Sequence, residues 1–459
     1  MTLAQCGGLL PSNAIRTEAP LGQRTSILTE LLGFDGWKVV EAYFEAPDGS
    51  RVRPLRTYLL PMEVRVVLRV ARRWGPRCSR CGQRCSEVHC LEDERRWKDL
   101  PCSGHPVAIE YTPVRVRCSR CKAKPIESVP WADLYQRETR RLQQHLALQT
   151  ASMPITRVAA QHGLSWSTVR RAEESAIARW ERHRLNVVLR LVGVDEKYLG
   201  RRHKRAEKFV TIVSNLQTGE PIWIGYGRSE ETLKQWLDTL TRAEKKRLRL
   251  FAMDMHEAFK NAVRNDPELE HVAICHDPFH VMKRANEAID ELRRQVFFRA
   301  GPHLRALGRG ARWLFIRAWE RCSVPERARL RQLLARNARL AGAYQMKEEL
   351  RAVLTSAPDG VAMLDGIEHI LRRTQRRSNV ALRKLHDSLQ RHLPEILALG
   401  EHRPPVGRIE ALNNNWETLV RRGRGYRDHG HLLRKLRFII ANPLHTTKGV
   451  EDFLTLVAA

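Results

Sequence analysis

The sequence predicts a multidomain α+β fold: a β-rich N-terminal region carrying a cysteine module, a helix-turn-helix, and an α/β core interrupted by an all-α insertion. Three observations carry this. The chain has 459 residues, more than one hydrophobic core organises. Six of its ten cysteines (Cys78, Cys81, Cys85, Cys90, Cys118 and Cys121) crowd one short region. Short β-rich and helical runs alternate over residues 187–282, whereas residues 283–400 hold no convincing strand. The expected segments are 1–34, loosely ordered; 35–131, β-rich with the cysteines; 138–185, helix-turn-helix; 187–282, first part of the core; 283–400, all-α insertion; and 401–459, completion of the core with C-terminal helices.

Lys and Arg number 80 against 51 Asp and Glu, a formal charge of +29. Such an excess favours approach to a polyanion, of which DNA is the commonest and a membrane surface the competitor. No apolar run approaches the roughly 20 residues that span a bilayer. Met1 to Pro11 lacks the basic and apolar stretches of a signal peptide. The expectation is a cytoplasmic, nucleoid-associated protein without a membrane partner. In a reducing cytosol its cysteines are not expected to pair as disulfides.

Val39, Val40 and Tyr43, the turn Pro47-Asp48-Gly49, and Val64 to Val70 read as short strands. Cys78-Ser-Arg-Cys81 and Cys118-Ser-Arg-Cys121 are near-identical Cys-x-x-Cys knuckles. Each places two thiolates on one metal, and together they complete a tetrahedral four-sulfur Zn²⁺ site. The β-like run Val107 to Val116 between them suits a zinc ribbon; four unrelated reduced thiols are the plainer alternative. Such a closed site is structural. Cys85, Cys90 and Cys102 lack a partner at matching spacing, and His89 reads as a surface residue.

Ile155 to His162, Gly163-Leu164-Ser165, and Trp166 to Ile177 have the form helix, turn, helix. Gly163 supplies a left-handed turn and Ser165 an N-cap. Val158, Leu164 and Val169 form the small core. Ser167, Thr168, Arg170 and Arg171 then face outward, where a recognition helix meets the major groove. An ordinary helical hairpin is the alternative.

The apolar run Val187 to Val194 ends at Asp195. Lys208 to Asn215 and Pro221 to Tyr226 follow as a hairpin around Thr218-Gly219. Ser229 to Arg247 reads as one helix, Leu248 to Met253 as a strand ending at Asp254, and His271 to Cys275 as a fifth strand. Three strands, helix, strand, helix, strand is the order of an RNase H-like α/β fold, in which the first and fourth strands are neighbours. Asp195 and Asp254 could then share a metal. Carboxylates suit Mg²⁺ (or Mn²⁺), and a pair of such ions activates a hydroxyl and stabilises the leaving oxygen of a phosphodiester. Glu410, in Gly407-Arg-Ile-Glu-Ala-Leu-Asn-Asn-Asn415, is the best third acid, since Asn413 and Asn414 share its helix face. Glu417 is the fallback. Glu196 is expected on the opposite side of its strand from Asp195.

These pieces together resemble the ISL3 family of bacterial insertion-sequence transposases, of the DDE class, over roughly residues 35–445. The resemblance rests on the two knuckles, Arg96-Trp-Lys-Asp-Leu-Pro101, Gly193-Val-Asp-Glu196, Met253-Asp254, Asp277-Pro-Phe-His280, Arg312-Trp313-Leu314, and Glu410 through Tyr426. It implies strand transfer at element ends with Asp195, Asp254 and Glu410 as the catalytic metal ligands. Asp277 and His280 match an auxiliary Asp-x-x-His signature; a capping Asp with a partly buried His is the alternative. Trp313 matches an insertion tryptophan that stacks on a flipped base; packing against Trp319 is the alternative. Asn415-Trp416 departs from the family, which often carries a basic residue there.

The expected partners are double-stranded DNA, at element ends and target, and a second copy of the chain in the DNA complex. Arg408, Arg421, Arg422 and Arg424 are expected to hold phosphates. The competing function is a DNA-binding regulator with an inactive core.

Overall fold

The computed structural model describes residues 21–52, 64–184, 187–199, 208–298, 301–375, 379–442, 444 and 446–458. They form a mixed α+β chain, β-rich toward the N-terminus and helical toward the C-terminus. Two compact units divide it: one runs up to Arg184 and includes Glu451 onward, and the other spans Leu185–Val450. Among the described residues no helix is long and apolar enough to cross a membrane.

The first unit opens with α1 (Leu21–Leu32). This corrects part of the segment expected to be loosely ordered; its residues 1–20 lie outside the described residues. Leu32 is buried, and Thr29 Oγ1 accepts from Val39 N at 2.9 Å, so the helix is tied to the first strand. The strands are β1 (Trp37–Glu45), β2 (Arg51–Val52), β3 (Arg65–Arg72), β4 (Val88–Leu91), β5 (Arg95–Cys102), β6 (His105–Tyr111) and β7 (Val114–Val116). They form a five-stranded sheet, β2-β1-β3-β6-β5, and a small β4-β7 ribbon. One sheet face buries Trp37, Trp97, Tyr111 and Trp131, whose ring centroids lie 4.7–6.0 Å apart in edge-to-face pairs. Such a pair adds about 0.5–1.5 kcal/mol beyond its buried area.

Then come α2 (Arg140–Ser152), α3 (Ile155–Gln161) and α4 (Trp166–His183). The turn is the one the sequence describes. Gly163 is left-handed at φ 58°, and Ser165 Oγ accepts from Thr168 N at 3.1 Å. Val158 and Val169 are fully buried, with Leu164 packed against them. The Arg96-Trp-Lys-Asp-Leu-Pro101 segment joins helices to sheet. Buried Asp99 accepts from Thr139 Oγ1 and Arg141 Nε, both at 2.7 Å, while Trp97 fills the aromatic core.

The second unit holds β8 (Leu191–Tyr198), β9 (Phe209–Asn215), β10 (Pro221–Tyr226), α5 (Glu230–Leu237), α6 (Arg242–Lys245), β11 (Leu250–Met253), α7 (Glu257–Arg264) and β12 (Ala273–His276). Its sheet order is β10-β9-β8-β11-β12, antiparallel on the β9 side of β8 and parallel on the β11 side. The single helix expected over Ser229 to Arg247 is two. Thr241 caps the second with a capping box to Glu244, which restarts the chain instead of continuing the first helix.

Helices follow to the end: α8 (Pro278–Phe298), α9 (Pro302–Gly308), α10 (Arg312–Ile316), α11 (Val324–Ala335), α12 (Ala338–Ser356), α13 (Gly360–Gln375), α14 (Val380–Arg391), α15 (Leu393–His402), α16 (Gly407–Arg422), α17 (His429–Ala441) and α18 (Thr447–Ala458). The alternation of the strands decides which helices cover which face. Val192, Val194, Phe251 and Met253 pack on α5 and α7. Leu250, Ala252 and Cys275, on the other face, pack on α8 to α15. Val210 and Ile212 pack on α16 and α17.

Candidate active site

Asp195 sits within β8, and Asp254 directly follows β11. The two strands are parallel neighbours with Val194 opposite Met253, so both acids emerge at the same sheet end. Glu410 arrives on the first turn of α16. A close approach there is possible because residue 193 is glycine. A Cβ would lie 2.8 Å from Leu216 Cδ2 and 3.1 Å from Ile409 Cγ1. One turn past Glu410, Asn413 Nδ2 donates to Asp195 Oδ2 at 2.6 Å across 218 residues of sequence. The polar helix face noted in the sequence thus has a partner.

Asp195, Asp254, Asp277, His280 and Glu410 line one cavity of about 670 Å³. Asp277 caps α8, accepting from Phe279 N at 2.8 Å, and His280 is the third residue of that helix. Glu417 does not line the cavity; it lies 4.0 Å from Lys197 Nζ and 3.2 Å from Arg421 Nη2. The fallback acid is therefore set aside.

Residues that sequence reasoning missed complete the wall: Glu196, Arg228, Phe279, Lys283 and Arg284. Glu196, expected on the opposite side of its strand, lines the same cavity as Asp195 and is held by Arg228 Nη1 at 3.2 Å. Lys283 and Arg284 were legible in principle, since each stands four residues after Phe279 or His280 on one helix face.

Burial raises the Asp254 carboxyl above its usual range; His280 and His256 oppose this, and Glu196 and Asp195 reinforce it. Burial also raises Asp277, reinforced by Asp195 and Glu410 and opposed by the Phe279 N–H and His280. Asp254 Oδ1, Glu196 Oε2 and Asn413 Oδ1 are buried and find no hydrogen-bond partner among the described residues. Crowded, desolvated, unpartnered oxygens are what a hard divalent cation requires. Asp254 meets this description; Asp195 Oδ2 takes Asn413 Nδ2 and Glu410 is exposed, so those two suit such an ion as carboxylates lining the same cavity.

A stability consequence follows for the metal-free chain. A carboxyl with a raised folded-state value costs the fold nothing below its unfolded value, and the cost grows as pH rises through the raised one. In EDTA at pH 7, Asp254→Asn is therefore expected to melt higher than wild type, by about 2–4 °C for each kcal/mol relieved. The gain disappears as pH falls below about 4. Thermal melts at both pH values check this; a lower melting point for the variant at pH 7 contradicts it.

The four knuckle sulfurs lie within 4.8 Å of one another. Cys78 Sγ is 3.7 Å from Cys121 Sγ, and Cys81 Sγ is 3.5 Å from Cys118 Sγ. Tetrahedral Zn²⁺ with Zn–S of about 2.3 Å sets its sulfurs about 3.8 Å apart, so the set fits. The N–H groups of Cys121 and Arg120 pull the Cys118 thiol down, while desolvation and the neighbouring thiols push Cys81 up, as expected of four crowded sulfurs that share charge.

On α4, Ser167 and Arg171 are exposed and Thr168 is partly so. Arg170 lies along its own helix, 2.8 Å from Glu174, and Arg171 is 3.7 Å from Glu138. Trp166, at the start of α4, is exposed and was missed. Arg408 Nη1 donates to Leu216 O at 2.7 Å and also to Gln217 O, so it ties α16 to the β9–β10 hairpin. Arg421 and Arg424 are exposed around the turn that ends α16, where Arg424 is left-handed at φ 54°; Arg422 is partly exposed.

Trp313 is 63% exposed and so is not a core residue. Its short helix α10 is fixed from below. The buried Lys347 ammonium donates to the carbonyls of Phe315 at 3.1 Å and Arg317 at 3.0 Å, satisfying the helix end.

Residues 192–436, more than half of the chain, match a family profile described as a transposase. Residues 127–176 match the helix-turn-helix domain of transposase family ISL3. The chain is 27% identical to the transposase for insertion sequence element IS1001 of Bordetella parapertussis, over 90% of this chain and 97% of that protein. It is 25% identical to the transposase for insertion sequence element IS1557 of Mycobacterium tuberculosis, over 91% of this chain and 96% of that protein.

Proposed function

Since the chain belongs to the ISL3 family of insertion-sequence transposases, we propose that it binds the terminal inverted repeats of its own element and catalyses metal-dependent cleavage and strand transfer there. The observation that supports this best is the Asn413–Asp195 hydrogen bond, which brings the turn bearing Glu410 to the cavity of Asp195 and Asp254. In this reading residues 187–282 and 401–459 form an RNase H-like core, 283–400 its insertion, 35–131 a zinc ribbon, and 138–185 the end-binding helix-turn-helix.

Asp195, Asp254 and Glu410 would hold Mg²⁺ (or Mn²⁺), which when bound activates water or a DNA 3′-hydroxyl and offsets charge on the leaving oxygen. The chain's own residues do the rest. Asn413 fixes the Asp195 carboxylate. Arg228, Lys283 and Arg284 put positive charge around the acids, where a DNA backbone must approach. Asp277 fixes the first turn of α8, and His280 is directed at the same acids. Ser167, Thr168 and Arg171 would meet the major groove of the ends, and Arg421, Arg422 and Arg424 the phosphates. A homodimer acting on two ends, inside the cell at the nucleoid, completes the proposal.

The test is a supercoiled plasmid carrying the element's ends. End-dependent nicking with Mg²⁺, abolished by EDTA, is expected. End binding with no nicking in Mg²⁺ or Mn²⁺ would leave the regulator with an inactive core.

For Trp313, stacking on an extruded base predicts a selective defect. Trp313→Ala should lower cleavage about 5–150-fold, the equivalent of 1–3 kcal/mol of base–aromatic stacking. Its exposure predicts a change in stability within about 0.5 kcal/mol. Cleavage rates and denaturant melts on the same preparation check both. Full cleavage activity removes Trp313 from the site.

A further inference from the structure

Outside the acid cavity, one buried cluster of ligating side chains has no role in the function above. His276 closes β12, His392 lies between α14 and α15, and Glu395 stands in the first turn of α15. All three are buried, and one donor atom from each lies within 4.8 Å of the others. We propose that His276, His392 and Glu395 bind a Zn²⁺ ion that pins the helical insertion to strand β12, beside Asp277.

The geometry favours a shared cation over a plain hydrogen bond. His276 Nε2 and His392 Nδ1 face each other at 3.2 Å. Two imidazole ligands of one tetrahedral zinc, with Zn–N of about 2.0–2.1 Å, stand about 3.3–3.4 Å apart. A single N–H···N bond would use one proton and leave the rest of the cluster unmatched. Glu395 Oε2 is buried with no hydrogen-bond partner among the described residues. A cation uses both facing lone pairs and gives the carboxylate a partner, which a buried polar group requires.

The surroundings suit a metal as well. Glu395 Oε1 takes Lys260 Nζ at 2.7 Å, which orients the carboxylate and leaves Oε2 for the ion. Glu257 Oε1 lies 3.8 Å from His392 Nε2, on the side of the ring away from His276, where a carboxylate raises the basicity of a ligating imidazole. His392 also lines a second cavity of about 680 Å³, together with Glu257 and Lys384, which gives the ion a way in. One histidine from β12 and a histidine and a carboxylate from the start of α15 are a nitrogen–oxygen set that zinc accepts. The consequence is mechanical. The ion would couple α15 of the insertion to the strand that immediately precedes Asp277.

The test measures metal content and needs no DNA, so it stands or falls apart from the transposition reading. The full-length chain is stripped with chelator, reloaded with Zn²⁺ alone, dialysed, and assayed for zinc by mass spectrometry. His392→Gln and Glu395→Gln are each expected to hold one zinc per chain fewer than wild type. Lys260→Met, which removes a neighbour but no ligand, is expected to hold as much as wild type. Cys118→Ser removes the knuckle zinc separately, and its loss should add to that of Glu395→Gln. Equal zinc in wild type and Glu395→Gln overturns the site, whether or not His392→Gln folds. Loss of zinc in Lys260→Met overturns the assignment of the ligands.

Discussion

Asp195→Asn is expected to lower end cleavage and strand transfer at least about 10³-fold while end binding stays within about twofold of wild type. The magnitude follows from the role. A ligand lost from a two-metal site forfeits several kcal/mol of charge stabilisation in the transition state, and about 4 kcal/mol is a factor of about 10³. The substitution is nearly isosteric, and an asparagine oxygen at 195 still accepts from Asn413 Nδ2, so the link between β8 and α16 survives. The residues proposed to bind the ends, Ser167, Thr168 and Arg171, belong to the other compact unit. Gel-shift and strand-transfer assays on one preparation separate the two effects. Glu410→Gln should behave in the same way, and Glu417→Gln should not, because Glu417 does not line the cavity and pairs with Lys197 and Arg421. Wild-type strand transfer by Asp195→Asn would sink the assignment of the acids; loss of activity in Glu417→Gln together with retention in Glu410→Gln would exchange the third ligand.

The acids were legible because each of the first two follows an apolar run, and such runs pair in parallel at the centre of an α/β sheet. Period-2 alternation placed Glu196 away from Asp195, yet both line one cavity. It failed to predict that a side chain at a sheet end reaches around into the cavity, because alternation describes direction and not reach. The helix-turn-helix was legible to the residue at Gly163 and Ser165, where local backbone chemistry decides the outcome. The tie made by Arg408 was hidden, because its carbonyl partners, Leu216 and Gln217, come from nearly 200 residues away. The insertion was legible as helices but not in its packing. Nothing in spacing pairs His276 with His392, which are 116 positions apart. The role of Asp99 was likewise hidden, although its segment carried part of the resemblance, since its partners Thr139 and Arg141 lie in the next module.

Cys118→Ser, or exhaustive chelation, is expected to unfold the cysteine module and with it to lose end binding by tenfold or more. The argument is one of scale. Structural zinc contributes about 10–16 kcal/mol in small zinc peptides, whereas a whole domain is stable by only about 5–15 kcal/mol. The module has little else to hold it. Its core comprises Cys78, Cys85, Val114, Val116 and Cys118, and its sheet is the two-stranded β4-β7 ribbon. Two strands alone are marginal in water. The loss should spread through Glu127, which is buried and accepts from Val114 N, Tyr111 Oη and Arg72 Nη1, each at 2.8 Å. Glu127 also bridges to Cys78 in backbone register, so the first knuckle and the aromatic core share it. Once the knuckles open, a buried carboxylate loses part of its shell beside Tyr111, and the sheet that Asp99 joins to the helix-turn-helix loosens in turn. Limited proteolysis should cut the variant within residues 74–128 and spare the unit that carries Asp195. A variant that has lost its zinc yet resists protease and binds ends as wild type does would show that the four sulfurs sit together without holding the fold.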